Sequence, residues 1–252
     1  MDSSPSLVRS FMVGSFCVVL LWWIKLLEYI SARDWHELGV WPRSIAGLIG
    51  VPFAPLIHGS FQHLISNTLA VWFLVTVLFY GYPRSAKKVL AIVWLLSGLG
   101  VWWLARESYH FGASGLTHGV FFFLLIAGFL RGDKRSVVLL MLAFFMYGTM
   151  IFTIFPGQPG VSWEYHFFGA VAGALAAFIF RHQDARLQPR HYSWQDEDEY
   201  IEDPVIGDQW RLPDKSPAQR EHGLVNSSSF GGYEELESDD IHIDNGGKTT
   251  DN

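Results

Sequence analysis

Gly112-Ala113-Ser114-Gly115 sets a serine among small residues where an apolar run begins, just after the polar stretch Arg106-Glu107-Ser108-Tyr109-His110. Small neighbours let another chain approach the hydroxyl closely, and glycine permits backbone conformations closed to other residues. Small-x-Ser-small also serves ordinary helix packing in membranes, so the serine takes its meaning from its company. His63, Asn67 and His166 fall at the corresponding ends of other apolar runs. His63 and Asn67 are four residues apart and share a helix face. Each can donate a hydrogen bond, so the pair could hold an oxyanion or act as a polar contact between helices. A histidine can take a proton from a serine hydroxyl and return it to a leaving group. These residue types suit acyl transfer.

The elements that must position them are apolar helices. Six spans are expected, at about 11–30, 61–80, 87–105, 114–130, 137–156 and 163–181, each near the length that crosses a bilayer. The 252-residue chain divides by charge. Met1 to Arg181 holds 12 Lys and Arg against 7 Asp and Glu, a net charge of +5; His182 to Asn252 holds 6 against 17, a net charge of −11. Residues 1–181 read as an all-α, six-helix membrane domain, and 182–252 as an acidic disordered tail. Cys17 is the only cysteine, so no internal disulfide is possible. The first apolar run lacks a convincing small-residue cleavage site before Lys25 and Glu28, and reads as a retained helix. Positive clusters at Arg84, Lys87 and Lys88, at Arg131, Lys134 and Arg135, and at Arg181, Arg186 and Arg190 alternate with loops poor in Lys and Arg. The alternation places both termini in the cytoplasm. The apolar loop 31–60, with Trp35, Trp41 and three prolines, reads as a partly helical segment at the outer interface, folded over the bundle or lying in the interface.

Span direction unites the polar residues. Spans two, four and six all enter from outside, so His63, Ser114 and His166 can share one depth. Ser114 to Leu130 spans 17 residues, or about 25 Å of helix against about 30 Å of hydrocarbon. With Arg131 at its inner end, Ser114 lies below the outer surface, in a cavity open to the outside. Gly169 and Gly173 give the last span a flat face, which Gly115 and Gly119 could match on the fourth. The Ser114 amide at a helix start favours developing negative charge. No aspartate is placed to complete a triad, and Glu164 points about 200° away from His166 on a helix. The arrangement is a Ser–His dyad.

With these motifs the chain resembles the rhomboid intramembrane serine proteases. The resemblance rests on Gly112-Ala113-Ser114-Gly115 opening a helix, on His58-x4-His63-x3-Asn67, and on His166-x2-Gly169-x3-Gly173, in order over residues 11–181. It implies a six-helix bundle around a water-filled site, with Ser114 as nucleophile, His166 as base, and His63 and Asn67 as oxyanion donors. Substrates would be single transmembrane helices. Two features depart from the family. Its usual Trp-Arg pair of the first loop is replaced by Ile49 and Gly50, with Trp41-Pro42-Arg43 out of register, and its usual tyrosine four residues after the serine is His118. In the family that aromatic residue stacks on the catalytic histidine, so His118 is expected to pack against His166 and orient it, or else only to satisfy a backbone carbonyl.

No metal or cofactor is expected: His36-Glu37 lacks the second histidine of a zinc-protease helix, where Val40 stands. The expected partners are transmembrane-helix substrates and the bilayer, without nucleic acid. The rival class is a non-catalytic membrane protein, either a pseudo-protease that binds transmembrane helices or a small transporter. A soluble partner could dock on the acidic tail. The expected location is a bacterial inner membrane.

Overall fold

The computed structural model describes residues 6–157 and 160–185. Most of the acidic tail, and any partner docked on it, lie outside the described residues. Among the described residues nine α-helices follow in order: α1 Leu7–Ser31, α2 Ile45–Leu48, α3 Gly50–Phe53, α4 Phe61–Gly81, α5 Ala86–Leu104, α6 Ser114–Arg131, α7 Lys134–Tyr147, α8 Met150–Thr153 and α9 Trp163–Phe180. The described residues hold no strand, only an isolated antiparallel bridge between Val40 and His110.

Five helices, α1, α4, α5, α6 and α9, are long and apolar enough to cross a membrane. The fifth expected span, 137–156, is not one helix. It divides into α7, of 14 residues, and the single turn α8. The i→i+4 ladder ends as Gly148 N–H donates to Phe144 O; Ile151 and Phe152 then donate to the carbonyls of Gly148 and Thr149, three residues back. Glycine followed by the β-branched Thr149, Ile151, Thr153 and Ile154 disfavours a continuous α-helix here.

Central helix α6 touches α4, α5, α7 and α9. Buried inside its best spanning window is 67% of the residues, against 22% for α1. Its Val120, Phe121, Phe123, Leu124 and Ala127 pack with Leu74, Leu78, Val89, Val93 and Ala176. Outward faces stay apolar, as at Phe129 and Phe145, which suits a lipid solvent.

At the Arg131 end the fold is closed by polar links. Arg131 is buried; its Nη1 donates to the carbonyls of Arg181 and Asp184 (2.9 Å each) and its Nε to Ser136 Oγ (2.8 Å). Asp184 accepts from Arg84 N–H at 2.7 Å and Ser85 Oγ at 2.5 Å, which ties it to the turn before α5. These bonds hold Asp184, just past Arg181, against the helices.

The loop before α4 is folded over the bundle. Arg43 N–H donates to Trp102 O and its Nη1 to Ala105 O (both 2.8 Å), while Trp102 Nε1 donates to Ser44 O (2.7 Å). Ile45, Leu48, Ile49 and Phe53 remain exposed, an apolar face suited to the membrane interface.

Candidate active site

Ser114 is the first residue of α6, so the amides of the first turn have no helical acceptor. The turn that delivers it depends on Gly112, whose φ is +115° and whose N–H donates to Ala54 O at 2.8 Å. A Cβ there would also lie 2.7 Å from Cε1 and 2.9 Å from Nε2 of His63. Glycine is thus required twice, for the backbone conformation and for the approach of the His63 ring.

Ala113 N–H donates to His58 Nε2 at 3.4 Å, and His58 Nδ1 donates to Leu56 O at 3.3 Å, which defines one neutral tautomer. Burial, aided by the neighbouring His63 and the Lys25 cation, pushes the His58 pKa down to about 3. The His58 and His63 rings meet edge to face at 5.1 Å. Behind them Lys25 Nζ donates to His58 O at 2.7 Å and pairs with Glu28 Oε2 at 2.9 Å, both side chains buried. In the sequence these two residues only marked the end of an apolar run; their partner, 33 residues away, leaves no local signal. Asn67 is buried, with Nδ2 donating to His63 O at 3.1 Å and its second N–H without a partner among the described residues.

The other side of the site is built on α6, α8 and α9. His118 and His166 stack, with ring centroids 3.9 Å apart and planes 8° from parallel. His118 Nδ1 lies 2.6 Å from Ser114 O, and its Nε2 lies 2.7 Å from Thr153 Oγ1. His166 Nδ1 lies 3.0 Å from Thr153 O. A ring nitrogen facing a carbonyl carries the proton, so both Nδ1 atoms are protonated in the neutral rings. That leaves His166 Nε2 as a lone-pair acceptor. Among the described residues Ser114 Oγ makes no hydrogen bond to it or to any side chain; such bonds are often long before substrate binds.

The two helices approach through glycine. A Cβ on Gly169 would fall on the carbonyl oxygen of Gly115, and one on Gly173 on that of Gly119, while a Cβ on Gly115 would lie 2.8 Å from the Tyr165 ring. His110, at the end of the polar stretch before Gly112, places its Nδ1 2.6 Å from Ser162 Oγ. Ser162 in turn caps α9 by accepting from Tyr165 N–H at 3.2 Å. Glu164 is buried and pairs with Arg106 at 3.4 Å; no carboxylate bonds to His166 among the described residues. A cleft of about 230 Å³ opens beside Thr153, with Phe152, Phe155 and Trp163 in its walls.

Fold and site together define an integral membrane protein of helical-bundle type, with a serine and two stacked histidines gathered at one end. A family model, the Rhomboid domain, matches residues 46–183, more than half of the chain. The chain belongs to the rhomboid family, whose members are generally intramembrane serine proteases acting on transmembrane substrates. Uncharacterized proteins of Mycobacterium tuberculosis and Mycobacterium bovis are 37% identical to it over 174 residues, 64% of this chain and 71% of each relative. An uncharacterized protein of Mycobacterium leprae is 29% identical over 182 residues, 67% of this chain and 72% of the relative.

Proposed function

We propose that the protein is an intramembrane serine endopeptidase that cleaves single-pass transmembrane helices with a Ser114–His166 dyad. The observation that carries this reading is the ring shared between nucleophile and base. His118 is bonded to the Ser114 carbonyl and stacked on His166, whose Nδ1 is occupied and whose Nε2 is free to accept a proton. In the reaction Ser114 Oγ attacks the scissile carbonyl carbon as its proton passes to His166 Nε2. The oxyanion is met by the Ser114 amide at the helix start and by His63 and Asn67. His166 then gives its proton to the leaving amine, and water hydrolyses the acyl-serine ester with His166 as base. Gly112, Gly115, Gly169 and Gly173 supply the close approaches, and His58 holds the Ala113 amide. The apolar cleft beside Thr153 suits a side chain of a helical substrate. Charge alternation orients the protein with cytoplasmic termini and Ser114 toward the opposite face, in the inner membrane of a bacterium, as the mycobacterial relatives suggest. Residues 1–181 form the catalytic domain on this reading.

The test is cleavage of a model single-pass substrate by the purified protein. Wild type is expected to cleave, and folded Ser114→Ala and His166→Ala are expected not to. A helix-binding pseudo-protease would instead bind the same substrate equally in all three, without product.

A further inference from the structure

Thr153 meets both stacked rings with two different groups, its hydroxyl toward His118 and its carbonyl toward His166. We infer that Thr153 is a positioning residue for the base, taking the place of the missing acid of a triad. The inference rests on the protease reading above.

A triad carboxylate does two things: it selects the tautomer of the histidine and fixes the plane of its ring. Here the first task falls to the Thr153 carbonyl. At 3.0 Å it holds the proton on His166 Nδ1 and leaves Nε2 as the acceptor. The second task falls to His118, whose face lies on His166 at 3.9 Å. His118 can act only if its own plane is fixed, and its two nitrogens are fixed at opposite edges. Nδ1–H donates to Ser114 O, so Nε2 must accept, and among the described residues the donor beside it is the Thr153 hydroxyl at 2.7 Å. That hydroxyl also lies 3.0 Å from Met150 O. Its single hydrogen serves one acceptor at a time, and donating to His118 is the choice that keeps the ring neutral. The break between α7 and α8 has a consequence: it turns Thr153 so that hydroxyl and carbonyl face two stacked rings at once.

Substitution separates the two groups, because Thr153→Val removes the hydroxyl and keeps both shape and carbonyl. The readout is the rate of Ser114 labelling by a fluorophosphonate probe on full-length protein in detergent, resolved into a maximal rate and a half-saturating concentration. Thr153→Val is expected to lower the maximal rate about tenfold, the cost of one neutral hydrogen bond, with half-saturation unchanged and the protein still folded. Thr153→Ser, which keeps the hydroxyl, is expected to restore the rate. In a His118→Phe background, where no ring nitrogen remains to accept, Thr153→Val is expected to cause no further loss. An unchanged rate in Thr153→Val, a loss that Ser does not restore, or an equal loss in the His118→Phe background would each overturn the inference while leaving the protease reading intact. Labelling of the wild type that survives Ser114→Ala overturns that reading, and the inference with it.

Discussion

The two sides of the site are held in different ways. His118 and His166 sit on α6 and α9, whose backbones touch through Gly115, Gly119, Gly169 and Gly173. Their rings stack and share Thr153. The opposite side, with His58, His63 and the Gly112–Ala113 turn, is loop backbone and the start of α4, strapped by single polar links. Its outermost strap, Lys25, comes from α1, the least buried of the five long helices. On one side the geometry follows from helix packing, and on the other from a chain of individual hydrogen bonds. Damage to the first side should be all-or-none, and damage to the second graded.

Gly169→Val should produce the largest effect. Its Cβ falls on the Gly115 carbonyl, so α9 must move away and take His166 with it. Overpacking of this kind costs about 3 kcal/mol, and substrate cleavage should vanish together with a clear drop in unfolding stability. A stable, active variant would show that the glycine contact does not set the position of His166.

Asn67→Ala comes next. Losing one oxyanion donor lowers the rate about 10²-fold, with folding kept, because the side chain bonds only to its own helix. Steady-state cleavage should show the loss in kcat rather than KM. A loss confined to KM would move Asn67 out of the oxyanion role.

The strap from α1 sharpens the comparison. Lys25→Met alone leaves the Glu28 carboxylate buried without its partner and should destabilise by about 3 kcal/mol. The double variant Lys25→Met/Glu28→Gln removes both charges and should recover most of that stability in denaturant unfolding. It still lacks the donor to His58 O, so Ser114 labelling should stay about tenfold slow. Full reactivity in the double variant would make the pair a matter of folding alone.

At neutral pH the smallest effect is that of His58, which shows only as the pH is lowered. The His58 pKa falls from 6.5 to about 3 on folding, through burial and the nearby His63 and Lys25. Above about 6.5 both folded and unfolded chains hold it neutral, and it costs nothing. As pH falls from about 6.5 toward about 3, the unfolded chain takes up a proton that the folded chain refuses, so stability declines. His58→Gln keeps a donor and an acceptor and does not titrate, so melting curves across this range should flatten by His58's share. An identical pH slope in the variant would show that His58 is not held neutral by the fold.

Much of the base side was legible in the sequence, and the reason is periodicity. Ser114 and His118 lie four apart and share a helix face, Gly169 and Gly173 repeat at the same interval, and long apolar runs announce the helices that carry them. What was not legible depends on contacts between distant segments. Span five reads as continuous because its residues are mostly apolar; Gly148 and the β-branched residues after it are a weak local signal of the break, and the role of Thr153 depends on His118 and His166 in other elements. Lys25 reaches a carbonyl in another element, and a side chain to backbone bond leaves no mark on the acceptor's residue type. Asp184 has the composition of an acidic tail, yet its carboxylate is tied to Arg84 and Ser85 in the turn before α5. The loop before α4 was legible as apolar and partly helical, but its registration on α5 runs through Arg43 and Trp102, which no local pattern connects.

The measurement that bears most directly on the account is the site of covalent modification by a fluorophosphonate. The purified full-length protein is treated with the probe, digested, and the adduct located by mass spectrometry. A single adduct on Ser114, absent from folded Ser114→Ala and strongly reduced in His166→Ala, is the expected result. No adduct on Ser114 in folded wild type, or labelling of Ser114 at an unchanged rate in His166→Ala, would contradict the dyad.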